Sequence, residues 1–327
     1  MADLTTSYLG LTLENPVVVS SSGITRNMDG VMRCAEAGAG AIVLKSLFEE
    51  QIESEAGAEE EAADVTLHPE AQDYIRQMGK HLGPDNYLEL IADAKKKTEV
   101  PIIASLNART TKWWGNYAQQ IEKAGADALE LNMSIMPRGF DSSPEQIERR
   151  FLNIVDKVRR QTSIPLAAKI GPCFTCIPCF TSRLRQSGVR ALVLFNRFYQ
   201  LDIDINSLKL APGYMFSTPH EVYEPLRWIS ILHPEVGCDL SASTGVHTGA
   251  EAIKLLLAGA KTVQVCSTLY KNGIDRIATI RSDIERWMTE RSYAKIDDFR
   301  GKLSQSQSAE PEAYERLQYI RALTGVS

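Results

Sequence analysis

The sequence has no apolar stretch that approaches the roughly 20 residues of a membrane-spanning helix. Its first ten residues, MADLTTSYLG, lack the basic and apolar regions of a secretory signal peptide. No long Lys/Arg run is present and the formal net charge is −5, so the charge does not favour nucleic acid as a partner. Six cysteines in 327 residues do not suggest a disulfide scaffold. We therefore expect a soluble cytoplasmic protein that binds neither membranes nor nucleic acid.

Two kinds of strand-forming segment alternate along the chain. In one kind, the end of a helix leads through a turn of small residues into a short apolar strand, as in AGADALELN. In the other kind, a proline or glycine ends the preceding helix and a short strand follows. The first kind occupies 35–46, 122–132, 185–196 and 256–267, and the second occupies 14–22, 99–107, 163–170 and 235–243. The alternation predicts eight strands.

The predicted strands are continuous apolar runs, which is typical of strands that are buried on both faces. Helical patterns such as 86–97, 144–161 and 249–260 lie between them. A hydrophobic content of 44% supplies enough apolar material for one large core. Eight strand–helix units in about 270 residues favour an α/β fold, a (β/α)8 TIM barrel that forms one domain over 1–327. An open doubly wound sheet of eight strands remains the alternative.

Three segments fall outside this repeat. TTSYLGLTLENP, ahead of the first strand, predicts an N-terminal hairpin placed to plug the end of the barrel opposite the active site. Longer excursions, 46–74 and 197–222, follow strands two and six. Both emerge from the carboxyl ends of strands, which is the face where barrel enzymes carry their sites. The acidic 46–74 segment is either a solvated surface excursion or a lid over the barrel mouth.

Small or polar residues end the predicted strands. Because the strands of a barrel run parallel, these residues converge at one face although they are distant in sequence. Neutral amide and hydroxyl groups suit a flat heterocycle with C=O and N–H edges. In chain order the residues are Ser21, Ser22, Gly23, Lys45, Ser46, Ser105, Asn107, Asn132, Lys169, Asn196, Ser243, Thr244, Gly245, Cys266, Ser267 and Thr268. We interpret them as a binding site, with Asn107, Ser243 and Cys266 among the candidate cofactor contacts.

The ends of strands seven and eight carry the most specific pattern. STGVHTGAEA (243–252) places small residues before a helix, and VCSTLYKNG (265–273) repeats the arrangement after the next strand. Barrels of this class bind phosphate at these two turns, where amide groups at the start of a helix face the anion. The pattern predicts a ligand that carries a phosphate group.

Lysines at the ends of strands two and five are costly to bury without an anionic or electron-rich partner. Lys169 fits two kinds of chemistry. Its ammonium group could stabilise negative charge that develops on a cofactor during the reaction. Its amine could instead form a Schiff base, as in an aldolase, although that chemistry would leave the asparagines unexplained.

Several of these segments together resemble the dihydroorotate dehydrogenase family, whose members are FMN-containing barrels, over nearly the full length of the chain. The matching pieces are LGLTLENPVVVSSSG, AGAGAIVLKS, AGADALELN with Asn132, the strand of Lys169 and, above all, TGVHTGAEAIKLLLAGAKTVQVCSTL (244–269). The resemblance implies an FMN whose phosphate lies on Thr244, Gly245, Ser267 and Thr268. It places Lys169 beside the pyrimidine edge of the flavin, and it implies flavin contacts from Ser22, Gly23, Lys45 and Ser46. Asn132 and Asn196 would bind the substrate or the flavin.

The same resemblance implies a function and partners. We expect an oxidoreductase that transfers a hydride between FMN and a CH–CH bond beside a carbonyl in a small, planar, pyrimidine-like substrate. We also expect a homodimer and a soluble electron acceptor or partner subunit. Two alternatives stay open: a flavin-binding paralogue without dihydroorotate turnover, and a phosphate-binding barrel lyase that uses Lys169 as its Schiff-base lysine.

The substrate half of the site departs from the family pattern. Where the family carries a Cys or Ser base after the fourth strand, this chain has Ile135, or Met136 if the gap is placed differently, and neither accepts a proton. Arg197 replaces the small hydroxyl residue that normally follows the strand-six asparagine, and FSTPHEVYEPLRW (216–228) replaces a glycine-rich segment. The segment after strand two has only VTLHPEAQDY (65–74) in place of an asparagine-bearing motif. Ser142, Ser143, Arg197 and Tyr199 are the remaining candidates for proton transfer or carboxylate binding.

Two further features have an ordinary and a functional interpretation. Cys173, Cys176 and Cys179 have the CxxCxxC spacing of some metal sites, but the usual fourth cysteine is missing. We therefore expect them to be packing residues and predict no metal site. His247 lies within the predicted phosphate turn, where we expect an exposed turn residue or a neighbour of a helix N-cap.

Overall fold

Eight parallel strands close into a barrel in the computed structural model, which describes residues 2–49, 84–108, 114–135, 141–197, 201–213, 216–315, 320 and 323–325. The closure is made by β4, which pairs in parallel with β3 on one side and with β6 on the other. The strands are β3 (Val17–Val19), β4 (Ala41–Val43), β6 (Ile102–Ala108), β7 (Ala128–Met133), β8 (Leu166–Ile170), β9 (Ala191–Leu194), β12 (Asp239–Ser243) and β13 (Thr262–Val265). The predicted (β/α)8 barrel is confirmed, and the open sheet is excluded.

Helices connect the strands on the outside of the barrel. They are α1 (Met28–Glu36), α2 (Pro84–Lys97), α3 (Trp114–Lys123), α4 (Pro144–Arg159), α5 (Ile177–Gln186), α6 (Tyr223–Leu232), α7 (Gly249–Ala258), α8 (Ser267–Asn272) and α9 (Arg276–Glu290). Capping boxes fix where two of them begin: Ser143 with Gln146 at α4, and Thr248 with Glu251 at α7. Among the described residues, no helix is long and apolar enough to cross a membrane.

Side chains of the strands alternate between two environments. One set, which includes Val17, Ile42 and Leu129, belongs to a large apolar cluster that also contains the buried faces of the helices. The other set, which includes Val18, Val43 and Ile103, forms a smaller apolar cluster inside the barrel. Both faces of each strand are therefore buried, as the apolar runs indicated.

The N-terminal hairpin consists of β1 (Thr6–Tyr8) and β2 (Leu11–Leu13) in antiparallel pairing. Tyr8, Leu9 and Leu13 join the apolar cluster inside the barrel. The amide of Leu9 also donates to Asp239 Oδ2 at 2.8 Å, at the amino end of β12. The hairpin therefore closes the amino end of the barrel, as predicted, and leaves the opposite end for a ligand.

The two predicted excursions begin as expected. After β4 the chain forms the two-residue strand β5 (Leu47–Phe48), which pairs with β6, and residues 50–83 lie outside the described part of the chain. After β9 a second hairpin, β10 (Leu201–Asp204) and β11 (Lys209–Pro212), pairs antiparallel. The question whether the acidic 46–74 segment is a lid therefore falls mostly outside the described residues.

Candidate active site

A buried polar cluster surrounds Lys169 inside the barrel, towards the carboxyl ends of the strands. Lys169 Nζ donates to Ser20 Oγ and to Gln264 Oε1, both at 3.0 Å. Glu130 Oε1 lies 3.6 Å from the same nitrogen, and Gln264 Nε2 donates to Glu130 Oε2 at 2.7 Å. These four side chains come from β8, β7, β13 and the residue after β3, and all are buried. The Lys169 ammonium is thus balanced by a carboxylate and held by two hydrogen-bond acceptors.

Two asparagines lie beside Lys169 at the same level of the sheet. Asn107 pairs with Asn132 across β6 and β7, and Asn132 pairs with Lys169 across β7 and β8. Residues in register on neighbouring strands point to the same face, so all three point into the barrel. Asn132 Oδ1 is buried without a hydrogen-bond partner among the described residues. Since buried polar atoms are almost always hydrogen-bonded, this oxygen is placed for a donor on a ligand.

A cavity of about 580 Å³ opens above the polar cluster. Its volume falls within the ~300–1,000 Å³ range of small-molecule and cofactor sites. Seven of the fourteen predicted cofactor contacts line it: Lys169, Asn196, Ser243, Thr244, Gly245, Cys266 and Ser267. The structure therefore brings the carboxyl ends of β8, β9, β12 and β13 together around one space.

One end of the cavity is formed by the turns after β12 and β13. Thr244 and Gly245 both have left-handed backbone conformations, with φ of 82° and 81°. Thr244 is β-branched, so this conformation is strained, and strained backbone of this kind clusters at ligand sites. At the neighbouring turn α8 begins at Ser267, where the amides of Leu269 and Tyr270 donate to Cys266 O and those of Ser267 and Thr268 precede the first bond of the helix. These are the two turns that the sequence predicted to bind a phosphate group.

The structure shows a reason for a glycine at position 245 that was not apparent from the sequence. A Cβ atom at this position would lie 2.2 Å from the backbone nitrogen of Val222 and 2.7 Å from the carbonyl carbon of Glu221. The glycine is therefore required by the close approach of the short helical segment Pro219–Val222, in addition to its left-handed φ. A side chain at 245 would displace this segment of the chain itself.

Other predicted contacts lie near the cavity without lining it. Ser46 Oγ bonds to Ser21 Oγ at 3.0 Å and to Ser105 Oγ at 2.8 Å, which forms a chain of hydroxyls across three strand ends. Ser22 caps the short helical segment that begins at Gly23. The Thr268 hydroxyl donates to His247 O at 3.2 Å, which links the start of α8 to the turn before α7.

Burial changes the pKa values of two groups at this face. Burial lowers the pKa of Lys45, although the nearby Cys266 opposes the change. Burial raises the pKa of the Cys266 thiol, against the influence of Lys169, Ser22 and Lys45. The shift favours the neutral thiol of Cys266, which lines the cavity.

Several residues around the cavity were missed from the sequence. Ser20, Glu130 and Gln264 complete the polar cluster, yet each lies within or beside an apolar run. Phe216 and Tyr270 line the cavity, with ring centroids 5.2 Å apart. The period of two along β7 (ALELNM) was the available signal, because Glu130 is two residues before Asn132 and therefore shares its face.

His247 differs from its expectation of exposure. It precedes the α7 N-cap, Thr248, as one interpretation held, but it is buried. Its Nε2 lies 3.1 Å from Ser217 Oγ, and Ser217 lines the cavity. Burial and the nearby Lys271 lower the pKa of His247, so the ring is neutral at neutral pH. His247 therefore supports Ser217 at the end of the cavity formed by the turns after β12 and β13.

The position expected for a catalytic base carries no proton acceptor. The Ile135 side chain is buried, with 8% exposure. Ser143 is engaged as the α4 N-cap, where its hydroxyl accepts from Gln146 N at 3.3 Å. Arg197 Nε pairs with Glu221 Oε2 at 2.7 Å. Met136 and Tyr199 lie outside the described residues.

The cysteines after β8 are arranged differently from the expectation. Cys176 and Cys179 form a disulfide, and Cys173 is an exposed free thiol. Cys179 is exposed as well. The interpretation as packing residues is therefore wrong for Cys173 and Cys179, because neither side chain is buried.

Comparison with known sequences gives one family over most of the chain. The family model described as dihydroorotate dehydrogenase matches residues 3–288. The catalytic subunit of dihydroorotate dehydrogenase B (NAD(+)) of Thermoplasma acidophilum is 29% identical over 314 residues, which covers 92% of this chain and 99% of that protein. The chloroplastic dihydropyrimidine dehydrogenase (NADP(+)) of Arabidopsis thaliana is 26% identical over 327 residues and is covered to 76% of its length.

Comparison with solved structures gives the same architecture. The dihydroorotate dehydrogenase of Eimeria tenella, solved in complex with ferulenol, superposes with a TM-score of 0.66 at 14% identity. The match covers 91% of this chain and 88% of that structure. At this identity the likeness bears on the fold alone.

Proposed function

The chain belongs to the dihydroorotate dehydrogenase family, and from this membership we propose that it is an FMN-dependent oxidoreductase that acts on a CH–CH bond beside a carbonyl. The substrate would be small, planar and pyrimidine-like. The observation that carries this proposal is the joining of two features in one cavity: the buried ammonium of Lys169 and the pair of turns at Thr244–Gly245 and Ser267.

The cavity and the residues beside it fit this cofactor. Asn132 is in register with Lys169, which lines the cavity, and its unpartnered Oδ1 needs a donor, which the N–H edge of a flavin ring presents. The turns after β12 and β13 offer backbone amides to a phosphate. The space between them, about 580 Å³, suits a ligand of this kind.

When bound, FMN would supply the hydride chemistry. The chain supplies binding and charge. Lys169 would hold an ammonium against the edge of the ring that gains electron density, with Glu130, Gln264 and Ser20 fixing its position. The phosphate would be held by Thr244, Gly245, Ser267 and Thr268. The rest of the cofactor would be surrounded by Ser22, Gly23, Lys45, Ser46, Asn107, Ser243 and Cys266. The ring or the substrate would be oriented by Asn132 and Asn196.

The lyase alternative requires a neutral Lys169 amine. In the structure Lys169 instead lies beside the Glu130 carboxylate and donates to two acceptors, an arrangement that suits the charged form. The flavin-binding paralogue without dihydroorotate turnover is the stronger second candidate. The buried Ile135 at the usual base position favours it.

The electron acceptor is proposed from the relatives. The relatives in Thermoplasma acidophilum and Thermoplasma volcanium are catalytic subunits whose names include NAD(+). A soluble acceptor or a partner subunit that relays electrons to a nicotinamide is therefore our proposal for this chain, in the cytoplasm.

We expect the purified protein to be yellow, with the absorption bands of oxidised flavin. Acid extraction should release FMN in a ratio near one per chain. A protein isolated without flavin should regain these bands and quench flavin fluorescence on titration with FMN, whereas riboflavin, which lacks the phosphate, should bind far more weakly. A colourless protein that fails to take up FMN would exclude both flavin hypotheses.

The β10–β11 hairpin supports a homodimer. Five of its large apolar side chains, Leu201, Ile203, Ile205, Leu208 and Leu210, are between 58% and 84% exposed. An isolated two-stranded hairpin is marginally stable in water, and a contiguous exposed apolar surface marks an interface. A second copy of the chain presents the same apolar surface and the same open strand edges, so the two hairpins can cover each other about a two-fold axis.

The paired substitution Ile203→Glu and Leu208→Glu is expected to separate the dimer. Both chains carry the change, so four apolar side chains are lost from the interface, and at about 1.5 kcal/mol each the total of about 6 kcal/mol weakens association by roughly 10⁴-fold. Light scattering at low micromolar concentration should show the mass fall by half. Leu303→Glu changes an equally exposed leucine, at 57%, that is remote in sequence from the hairpin, and it should leave the mass unchanged. An unaltered mass for the hairpin variant would show that the interface lies elsewhere.

A further inference from the structure

The segment between Lys169 and α5 carries a cysteine pair that the flavin chemistry does not use. Cys176 is the N-cap residue of α5 and Cys179 lies in its first turn, with a proline between them. The two form a disulfide. Cys179 is exposed and Cys176 is partly exposed, so the pair lies at the surface, where a reagent can approach it.

We propose that Cys176 and Cys179 form a redox-active pair that exchanges with external dithiols. Two cysteines spaced CxxC at the start of a helix have the arrangement of thiol–disulfide oxidoreductases, since the helix N-terminus stabilises a thiolate. The backbone N–H of Cys179 donates to Cys176 Sγ at 3.3 Å, which directs this stabilisation to Cys176. The ligand class is a dithiol, and the site is separate from the flavin cavity.

The geometry assigns different roles to the two sulfur atoms. A thiolate of the dithiol attacks the exposed Cys179 Sγ, the S–S bond breaks, and its electron pair passes to Cys176 Sγ. Cys176 is the better leaving group because the Cys179 amide and the helix N-terminus stabilise its thiolate. The second thiolate of the reagent then attacks its own sulfur in the mixed disulfide and releases Cys179. The protein gains two electrons and two protons, and the dithiol becomes a disulfide.

The surroundings allow this exchange in the folded protein. Phe174 stacks on Phe180 with centroids 4.1 Å apart and meets Phe151 edge-on at 5.4 Å. These contacts hold the segment between β8 and α5 against α4 and α5 without help from the disulfide. Opening the S–S bond therefore leaves the segment anchored.

Cys173 supplies an internal comparison. It is an exposed thiol three residues before Cys176, but it has no helix N-terminus to stabilise a thiolate. Partial burial and the nearby Glu224 raise the pKa of the Cys173 thiol. It should therefore react more slowly than an ordinary surface cysteine, and Cys173→Ser should leave the exchange unchanged.

Mass spectrometry of one tryptic peptide shows whether Cys176 and Cys179 are reduced or joined in a disulfide. Cleavage after Lys169 and Arg183 yields residues 170–183, which contain all three cysteines. The flavin-loaded protein is equilibrated with mixtures of reduced and oxidised dithiothreitol, alkylated while folded, and digested. We expect one label in the oxidised form and three in the reduced form, with full reversal when the mixture is changed.

Two results would overturn the proposal. If the folded protein keeps one label in excess dithiol, and gains the others solely after unfolding, the disulfide is structural. If it takes three labels under every oxidising mixture, the pair does not cycle. Flavin absorption measured in the same samples shows that the protein stays folded and loaded throughout.

A second measurement tests the assignment of the leaving group. In Cys179→Ser, the remaining Cys176 should be alkylated at pH 6.5 about threefold faster than Cys173, because the helix N-terminus favours the Cys176 thiolate and its larger thiolate fraction outweighs its lower intrinsic reactivity. In Cys176→Ser, Cys179 should show no such advantage over Cys173. Equal rates for Cys176 and Cys173 would remove Cys176 from the role of stabilised thiolate.

Discussion

Lys169→Ala is expected to cost about 3–5 kcal/mol of folding stability, because it leaves the buried Glu130 carboxylate without its cationic partner. Urea unfolding of the flavin-free protein measures this loss. Lys95→Ala is the matched control: Lys95 pairs with Asp127 at 2.8 Å, but both side chains are partly exposed. That pair should contribute about 1 kcal/mol or less.

A further substitution separates the charge from the packing. If the loss in Lys169→Ala comes from the unpaired carboxylate, then Glu130→Gln added to it should restore part of the stability, because the glutamine is neutral. A loss in Lys169→Ala no larger than that in Lys95→Ala would contradict the buried ion pair. A double variant that is less stable than either single variant would also contradict the buried ion pair.

Lys169→Ala alone is also expected to lower the reduction potential of bound FMN, or to weaken the retention of FMN. The Lys169 ammonium lines the cavity, and positive charge beside a ring that gains electrons favours the reduced form. Equilibration with a redox dye under anaerobic conditions measures the potential, and dialysis followed by absorption measures retention. Lys95→Ala should change neither. Unchanged potential and unchanged retention in Lys169→Ala would place the flavin away from this lysine.

The barrel was predictable because each strand is bounded by local signals. Small-residue turns and prolines mark where strands begin, and a run of apolar residues buried on both faces needs no distant information. The antiparallel N-terminal hairpin was predictable for a similar reason, since Leu9 and Gly10 form a two-residue turn between two short alternating strands. In the structure both residues have the positive φ that such a turn requires. The exposed apolar faces of the second hairpin were not predicted, because exposure depends on what packs against a segment.

The polar cluster around Lys169 was predictable only in part. The strand ends converge in any barrel, so Lys169 and Asn132 could be placed at one face. Glu130 and Gln264 interrupt apolar runs, and their alternation with apolar neighbours is brief enough to be overlooked. The partners of Gly245 and the burial of His247 depend on how the segment before α6 folds back over the barrel, which no local pattern encodes.

Dihydroorotate is expected to bleach the flavin slowly or not at all, although dithionite should bleach it at once. Transfer of a hydride to a flavin from a C–H bond requires removal of a proton from the neighbouring carbon, and a positioned base typically contributes 10²–10⁴-fold. The residue at the usual base position, Ile135, is buried and apolar. Ser143 is engaged in capping α4, and Arg197 is paired with Glu221. Anaerobic stopped-flow mixing of the FMN-loaded protein with dihydroorotate measures this rate.

Ile135→Cys is expected to accelerate this bleaching by roughly 100-fold, at the lower end of the contribution of a positioned base. The acceleration should rise with pH as the thiol ionises, with a midpoint near its usual pKa of about 8.5. Ile135→Val is the matched control, because it makes similar room without adding an acidic group, and it should not accelerate bleaching. If Val and Cys act alike, access and not proton removal limits the reaction. If the unmodified protein bleaches as fast with dihydroorotate as with dithionite, its base lies on another loop, and the substrate site is that of a working dihydroorotate dehydrogenase.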